Sequence, residues 1–449
     1  MSPRVQRLYL QLHRQFVELG KQRRWNRDAV AASFIAAGRA ALARVDFGLP
    51  MLRPGTFALT LLLSFLTALG PLSMDMYLPS LPDIGRTLQV PVLQVQLTIS
   101  SYLFGFAVGQ IFYGPVSDRL GRRPVLLAAL VVYALATVGC AAAQSIDALI
   151  ALRFLQALGG AGAIVLARAV VRDLYSGVRA GRELSLMGAI TGVAPIVAPV
   201  VGGALQTFFG WRATFVLLVI CAFVIGAIAG RLLPETLRER PKTPFSLRAM
   251  GVLYRSVAVH PGFLANLAIL TAAFVGLFAW ISGAPVVMQS AVYGLSPFTF
   301  GVTFAVGATG FVLGTLLAAR IVIRFGLDRL IGIGTAAMAC GGLLMALVVA
   351  LALSHVLWFV GAMTLYLAGI GFALPSTMAG ALTPFPDRAG TASSVMGLVQ
   401  QSGAAITAAA VGAYLGHSAW PVASVVAVMG CLSFVIWLLT RRVRVAALT

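Results

Sequence analysis

Two charged side chains stand alone inside long apolar runs, and their types are complementary. Asp75, in Leu72-Ser73-Met74-Asp75-Met76-Tyr77-Leu78-Pro79, is the one charged residue of a run that begins at Phe57. Arg153 lies in Leu152-Arg153-Phe154-Leu155-Gln156-Ala157-Leu158-Gly159, within a second apolar run. A carboxyl group in a water-poor chamber is the ordinary device for carrying a proton. Desolvation favours its neutral form and a nearby guanidinium its ionised form, so its charge follows which face is open. Ionisable residues at membrane depth are costly and mark ion or substrate paths.

Both runs must be helical to cross a bilayer. Asp75 is 18 residues from Phe57, and Arg153 is 19 residues from Arg172 at the cytoplasmic end of its run. At 1.5 Å per residue both lie about 27 to 29 Å from that side, so the two charges share one level and are expected to form a buried pair. Gln156, one turn from Arg153, adds a neutral donor and acceptor on the same face.

The elements that hold these residues follow from composition. The chain has 449 residues, 59% hydrophobic and 10% charged, with a mean hydropathy of +0.94. Soluble domains carry about 25% charged residues, so the chain is a polytopic membrane protein. Its net charge of +20, from 33 Lys and Arg against 13 Asp and Glu, would suit nucleic acid. The arginines, however, sit in connections between apolar spans and leave no room for a basic domain, so no nucleic-acid partner is expected.

Hydropathy divides the chain into twelve spans, near 57–78, 93–114, 124–143, 148–170, 184–206, 212–232, 263–287, 299–321, 328–351, 356–376, 389–414 and 420–440. The organisation predicted is a basic leader (1–56), a six-helix bundle (57–233), a cytoplasmic linker (234–261), a second six-helix bundle (262–440) and a basic tail (441–449). The leader, with ten Lys or Arg, reads as an interfacial helix, a flexible tail or an over-called start before Met51. The connections holding Arg119, Arg122, Arg123, Arg172, Arg179, Arg182, Arg324, Arg329 and Arg388 fall on one side, so the positive-inside rule puts both termini in the cytoplasm. An offset of 205 residues maps Gly109, Arg119 and Gly121 onto Gly314, Arg324 and Gly326, the trace of a duplicated six-helix unit.

Cys140, Cys221, Cys340 and Cys431 are far apart and inside apolar runs, without disulfide or metal-ligand spacing. His13, His260, His355 and His417 fall in the leader, loops or span ends. No nucleophile with a base and no metal cluster emerges at membrane depth, so no enzyme, cofactor or metal is expected. Gly159-Gly160-Ala161-Gly162 follows no strand, which makes it helix packing rather than a nucleotide loop.

Two further strings carry mechanics. Gly114-Pro-Val-Ser-Asp118-Arg119-Leu-Gly121-Arg122-Arg123-Pro124 joins spans two and three, with Gly114 expected to allow close helix approach and Asp118 to accept from an arginine. Its copy in the second half, Arg320 to Arg329, has Ile323 where Asp118 would map. Span five carries Ala194-Pro195-Ile-Val-Ala198-Pro199-Val-Val-Gly202-Gly203, expected to kink and pack closely against one side of a central cavity.

These strings resemble the major facilitator superfamily: the loop after span two matches its signature, and span five resembles the antiporter motif, with Ala194 and Ala198 where the general pattern has glycine. Met74 to Pro79 with Leu81-Pro82, and Pro386-Asp387-Arg388-Ala389-Gly390-Thr391-Ala392-Ser393-Ser394, resemble the Bcr/CflA branch of bicyclomycin and chloramphenicol exporters. The resemblance covers about residues 57–440. It implies an all-α fold of two pseudo-symmetric six-helix bundles and a proton-coupled multidrug exporter working by alternating access. It implies too a monomer in the bacterial inner membrane, driven by the proton gradient. Asp75 and Arg153 would couple protons. Tyr77, Tyr102, Phe106, Gln156, Trp280, Phe304, Tyr366 and Gln400 would line the cavity, and Gly114, Asp118, Arg119, Gly121, Arg122, Pro199, Gly202 and Gly203 would gate it. An uptake or facilitator carrier for a sugar, peptide or amino acid remains the alternative on the same fold.

Overall fold

A computed structural model describes residues 52, 54–237, 247–290, 292–385, 388–415 and 418–446. Most of the leader, Pro386 and Asp387 of the second branch signature, His417 and the last three residues of the tail lie outside the described residues. Leu52 to Thr449 belong to one compact unit.

Among the described residues the secondary structure is helical, without strands. Eleven helices are long and apolar enough to cross a membrane. One of them, Pro297–Ala350, has 54 residues, about 81 Å at 1.5 Å per residue and more than two bilayer cores. It is two spans joined at Gly326, whose φ of 74° and ψ of 166° are not helical. The positive φ is one glycine adopts readily, and it turns the chain back after span eight. Twelve crossings result, as hydropathy predicts.

The helices outrun the apolar cores. Span one is Phe57–Asp75, continued by a 3-10 turn Leu78–Ser80 and a short helix Leu81–Leu88. Span two is Val92–Leu120, span three Arg122–Ala142 and span four Ile146–Leu174. Span five is broken into Gly177–Thr191 and Ala194–Phe209, and span six is Arg212–Leu232. Spans seven, ten, eleven and twelve are Pro261–Gln289, Val356–Leu382, Ala389–Tyr414 and Trp420–Ala446. Chain chemistry sets several starts: Ser145 and Ser296 accept from the backbone N–H groups of Ala148 and Thr299, and Pro261 and Pro297 need no partner for a missing donor. The polar break between the halves contains a helix, Leu247–Ala258, that hydropathy does not reveal.

Within each half the packing repeats. Gly105 and Gly109 press on Phe154 and Ala161 of span four, and 205 residues on Gly310 and Gly314 press on Thr364 and Ala368 of span ten. The halves meet where span two packs on span eleven and span five on span eight. At the end where spans two and eight begin, this seam is tight. The backbone of Gly203 touches Pro297, that of Gly301 touches Pro199, and Gly412 rests on Gln96. Gln96 Nε2 donates to Ser282 O at 2.6 Å and Gln289 Nε2 to Pro79 O at 3.2 Å, both from one half to the other.

The opposite ends are looser. In the first segment of span five Met187 is the one buried residue among those whose burial is described, and a methyl group built on Gly181 or Gly188 would meet nothing. The same holds for Gly114, so in this conformation it does not mediate the close helix approach its type suggests. Spans two and eleven remain in contact at Gln110 and Gly397, and span four meets the start of span eleven where Arg172 lies against Gly390. The seam of spans five and eight is therefore closed at one end of the helices and parted at the other.

Candidate functional site: a buried charge cluster below the seal

Span one ends at Asp75, with Met76 as its C-cap. Asp75 is 6% exposed, and Arg153, which reaches span one from span four, is 0% exposed. The two do not form an ion pair. Arg153 Nη1 donates to Ser73 O at 3.1 Å and to Gln156 Oε1 at 2.7 Å, and Nη2 reaches Met74 Sδ at 3.8 Å. Its guanidinium lies between two aromatic faces, 4.5 Å from the Tyr77 ring centroid and 4.1 Å from that of Tyr102. The rings and the span-one backbone occupy the places a carboxylate would need, which is why the expected pairing is absent here. Shared level is read correctly from residue counting; side-chain direction is not. Arg153 Nε–H is left without an acceptor among the described residues.

Neutral groups complete the cluster. Ser73 Oγ is 2.6 Å from Tyr133 Oη, Gln156 Nε2 donates to Thr137 Oγ1 at 3.0 Å, Tyr102 Oη donates to Gly70 O at 3.1 Å, and Tyr77 Oη is 2.8 Å from Thr98 Oγ1. A buried cation stays charged only where such partners and π faces replace water. Ser73, Thr98, Tyr133 and Thr137 escape sequence reasoning, because a single hydroxyl in an apolar span carries no spacing signal.

Of the residues expected to line a cavity, Tyr77, Tyr102 and Gln156 surround Arg153, and Phe106 packs on Gly70 beside them. Trp280 and Phe304 form a separate stack in the second half, ring centroids 5.9 Å apart. Tyr366 lays its hydroxyl against Gly276. Gln400 is buried too, and none of the eight faces open solvent. Trp280 Nε1, Tyr366 Oη and Gln400 Nε2 lack hydrogen-bond partners among the described residues. A groove of about 480 Å³ between spans two, four and eleven, lined by Leu97, Phe104 and Ile406 among others, is apolar and holds no charged group.

Span five ties this cluster to the seal. Its helix breaks at Gly192 and Val193 and restarts at Ala194-Pro195, and Pro199, Gly202 and Gly203 are all buried. Gly202 abuts the Met76 backbone, the residue after Asp75. No side chain larger than hydrogen fits there.

The loop after span two forms a second polar centre at the opposite ends of the helices. Arg122 pairs with Asp118 at 2.5 Å and, through Nε, with Asp173 at 2.9 Å, and its Nη1 donates to Ser117 Oγ at 2.6 Å. Arg119 is half-buried one residue from the helix end. Gly121 turns the chain with φ 105°, which aims the Arg122 and Arg123 backbone N–H groups at Glu235, at 2.9 and 3.2 Å. Burial raises the pKa of the Glu235 carboxyl, but N–H bonds from Leu237, Arg122, Arg123 and Thr236 outweigh it and hold the group below its usual range. Sequence reasoning missed Asp173 and Glu235. It also missed the counterpart in the second half, where Ile323 is 92% exposed but Asp328, five residues on, pairs with Arg444 at 2.7 Å and Arg441 at 3.2 Å. In the first half the end of span six brings the acid; in the second, span twelve brings the arginines.

A family model described as Major Facilitator Superfamily matches residues 63–408. The bicyclomycin resistance protein homolog of Haemophilus influenzae is 31% identical over 346 residues, 77% of this chain and 86% of that protein. A chloramphenicol resistance protein of Pseudomonas aeruginosa is 34% identical over 349 residues, 75% of this chain and 80% of that protein. A bacterial homolog of the human lysosomal transporter Spinster, solved inward-facing and unoccupied, superposes with a TM-score of 0.66 at 20% identity, covering 88% and 99% of the two chains. The chain belongs to the major facilitator superfamily and, by its relatives, to the Bcr/CflA branch. It is a multi-pass membrane transporter of small molecules, not an enzyme.

Proposed function

We propose that the protein exports small amphipathic compounds in exchange for protons, by alternating access of one central site. The observation that carries this reading is the position of Asp75: a buried acid at the end of span one, next to the residue on which Gly202 of span five closes the outer seal. A proton taken from the outer side neutralises Asp75 and lets it be buried under the seal. When the inner side opens and substrate enters, the proton leaves. The unpartnered Nε–H of Arg153 then offers the ionised carboxylate a donor to turn towards. Cargo and proton alternate because one cluster serves both.

The relatives' names support export of bicyclomycin-like or chloramphenicol-like drugs. The remaining parts of the reading are a monomer in the bacterial inner membrane with both termini cytoplasmic, residues 57–233 and 262–440 as the moving bundles, and residues 234–261 as the linker. The energy source is the proton gradient, with no cofactor and no nucleic-acid partner. Everted vesicles with an acidified lumen test it. Added chloramphenicol collapses the gradient and accumulates inside if the protein is an antiporter; an uptake carrier or facilitator leaves the gradient standing.

A further inference from the structure

Arg168 is a charged residue that the buried cluster does not use. It lies on span four between Ala167 and Ala169, which are buried, yet its own side chain is exposed. Its direction follows from helix geometry. Gly159 of the same helix presses on the backbone of Ala129 and Tyr133 in span three. Nine residues separate Gly159 from Arg168, and at 3.6 residues per turn that is about two and a half turns, the opposite side of the helix. On the flanks of that opposite side Ala161 meets Gly109 of span two and Ile164 meets Gly70 of span one. Arg168 therefore points between spans one and two, away from span three and from the lipid behind it.

The next residue on that side, Arg172, identifies what it faces. A Cβ built on Gly390, at the start of span eleven in the other half, would lie 3.1 Å from Arg172 Nη1. Arg172 thus reaches the other half, and Arg168, one turn deeper on the same helix face, is directed towards it. They are four residues apart on one helix face, a spacing at which like charges repel, so the pair is no aid to stability.

Arg172 has Asp118 and Asp173 within electrostatic reach, but no carboxylate among the described residues balances Arg168. Among the described residues no carboxylate pairs with Arg168 and no acceptor meets it. Asp118 and Asp173 are paired with Arg122, Glu183 accepts from Thr60 Oγ1 at 2.6 Å, and Asp75 is buried at the end of span one. The facing half offers no charge of either sign at membrane depth, for residues 261–319, 330–386 and 389–440 contain no Asp, Glu, Lys or Arg.

We propose that the inner vestibule is an anion-selective entry, in which Arg168 receives the negatively charged end of an amphipathic substrate and repels lipophilic cations. This deepens the export reading and rests on it only for the direction of transport; equilibrium binding tests it separately. An unpaired guanidinium flanked by the buried apolar residues Ala167 and Ala169 acts through a dielectric below that of bulk water, so one charge alters affinity by about tenfold or more.

The test uses the full-length protein in lipid nanodiscs and three fluorescent probes: 8-anilinonaphthalene-1-sulfonate, the same aromatic frame without the sulfonate (N-phenyl-1-naphthylamine), and ethidium. Binding is measured against empty discs, for the native protein and for Arg168→Gln, Arg168→Lys and Arg168→Glu. The expected result is that R168Q weakens the sulfonate by about tenfold and leaves the uncharged frame within about twofold, R168K restores most of the loss, and R168E binds ethidium better than the native protein does. Equal losses for all three probes, or ethidium binding natively as well as the sulfonate, overturn the proposal. The pattern expected for R168Q without any substrate-induced proton movement in vesicles upholds the anionic entry and overturns antiport instead.

Discussion

The contact between Gly202 and Met76 gives the sharpest consequence of the structure. A Cβ at position 202 would fall 2.8 Å from Met76 Cα and closer still to its carbonyl oxygen. These are backbone atoms that cannot rotate away, so in Gly202→Ala span five must retreat by about 1 Å or span one must shift, and overpacking of this kind costs about 1 to 3 kcal/mol. That cost falls on the sealed conformation, where the two helices touch, and not on one in which they have separated. The equilibrium therefore moves towards the outward-open form by roughly 5- to 150-fold, taking 1.4 kcal/mol as a factor of ten. The assay is labelling by a membrane-impermeant maleimide of Pro297→Cys, at the outer seam, with Cys140, Cys221, Cys340 and Cys431 changed to serine. G202A should label at least about fivefold faster than its parent while remaining in the membrane. Labelling at the parental rate, with unaltered transport, would refute the reasoning that span five closes on the residue after Asp75.

Two other outcomes follow from the polar clusters. Arg153→Lys keeps the charge but not the planar fork that serves Ser73 O and Gln156 while lying between Tyr77 and Tyr102; vesicle transport should fall by about tenfold or more, and near-native rates would show that charge alone suffices. The Glu235 clamp should ignore physiological pH. Because its carboxyl is held below the usual range, its contribution is complete above the ordinary glutamate value of about 4.3 and is lost only as pH falls through the lowered one. Thermal stability of the native protein minus that of Glu235→Gln should accordingly be constant from about pH 5.5 to 8, and a difference that shrinks steadily across that interval would count against the clamp.

Much of the architecture is legible before any coordinates. An apolar run long enough for a bilayer admits one backbone solution, which is why the twelve crossings and even the matched depth of Asp75 and Arg153 can be counted off. Rotation about the helix axis cannot be counted in the same way. Whether Arg153 turns to Asp75 or to Ser73 depends on rings supplied by Tyr77 and Tyr102, and the second of these belongs to a different span. Partners such as Thr137 for Gln156 or Asp328 for Arg444 are joined by packing, not by spacing. The loop after span eight shows the same limit: judged by the position of Asp118 its copy is degenerate, because the acid that serves it stands at 328 and meets a helix more than a hundred residues away.

Exchange of the Asp75 proton for cargo is the central step of the proposed transport cycle. Purified protein in weakly buffered solution, mixed with saturating chloramphenicol, should release protons that a pH-sensitive dye records, and Asp75→Asn should bind the compound and release none. An undiminished proton release from the D75N protein would place the coupling group elsewhere and contradict the mechanism.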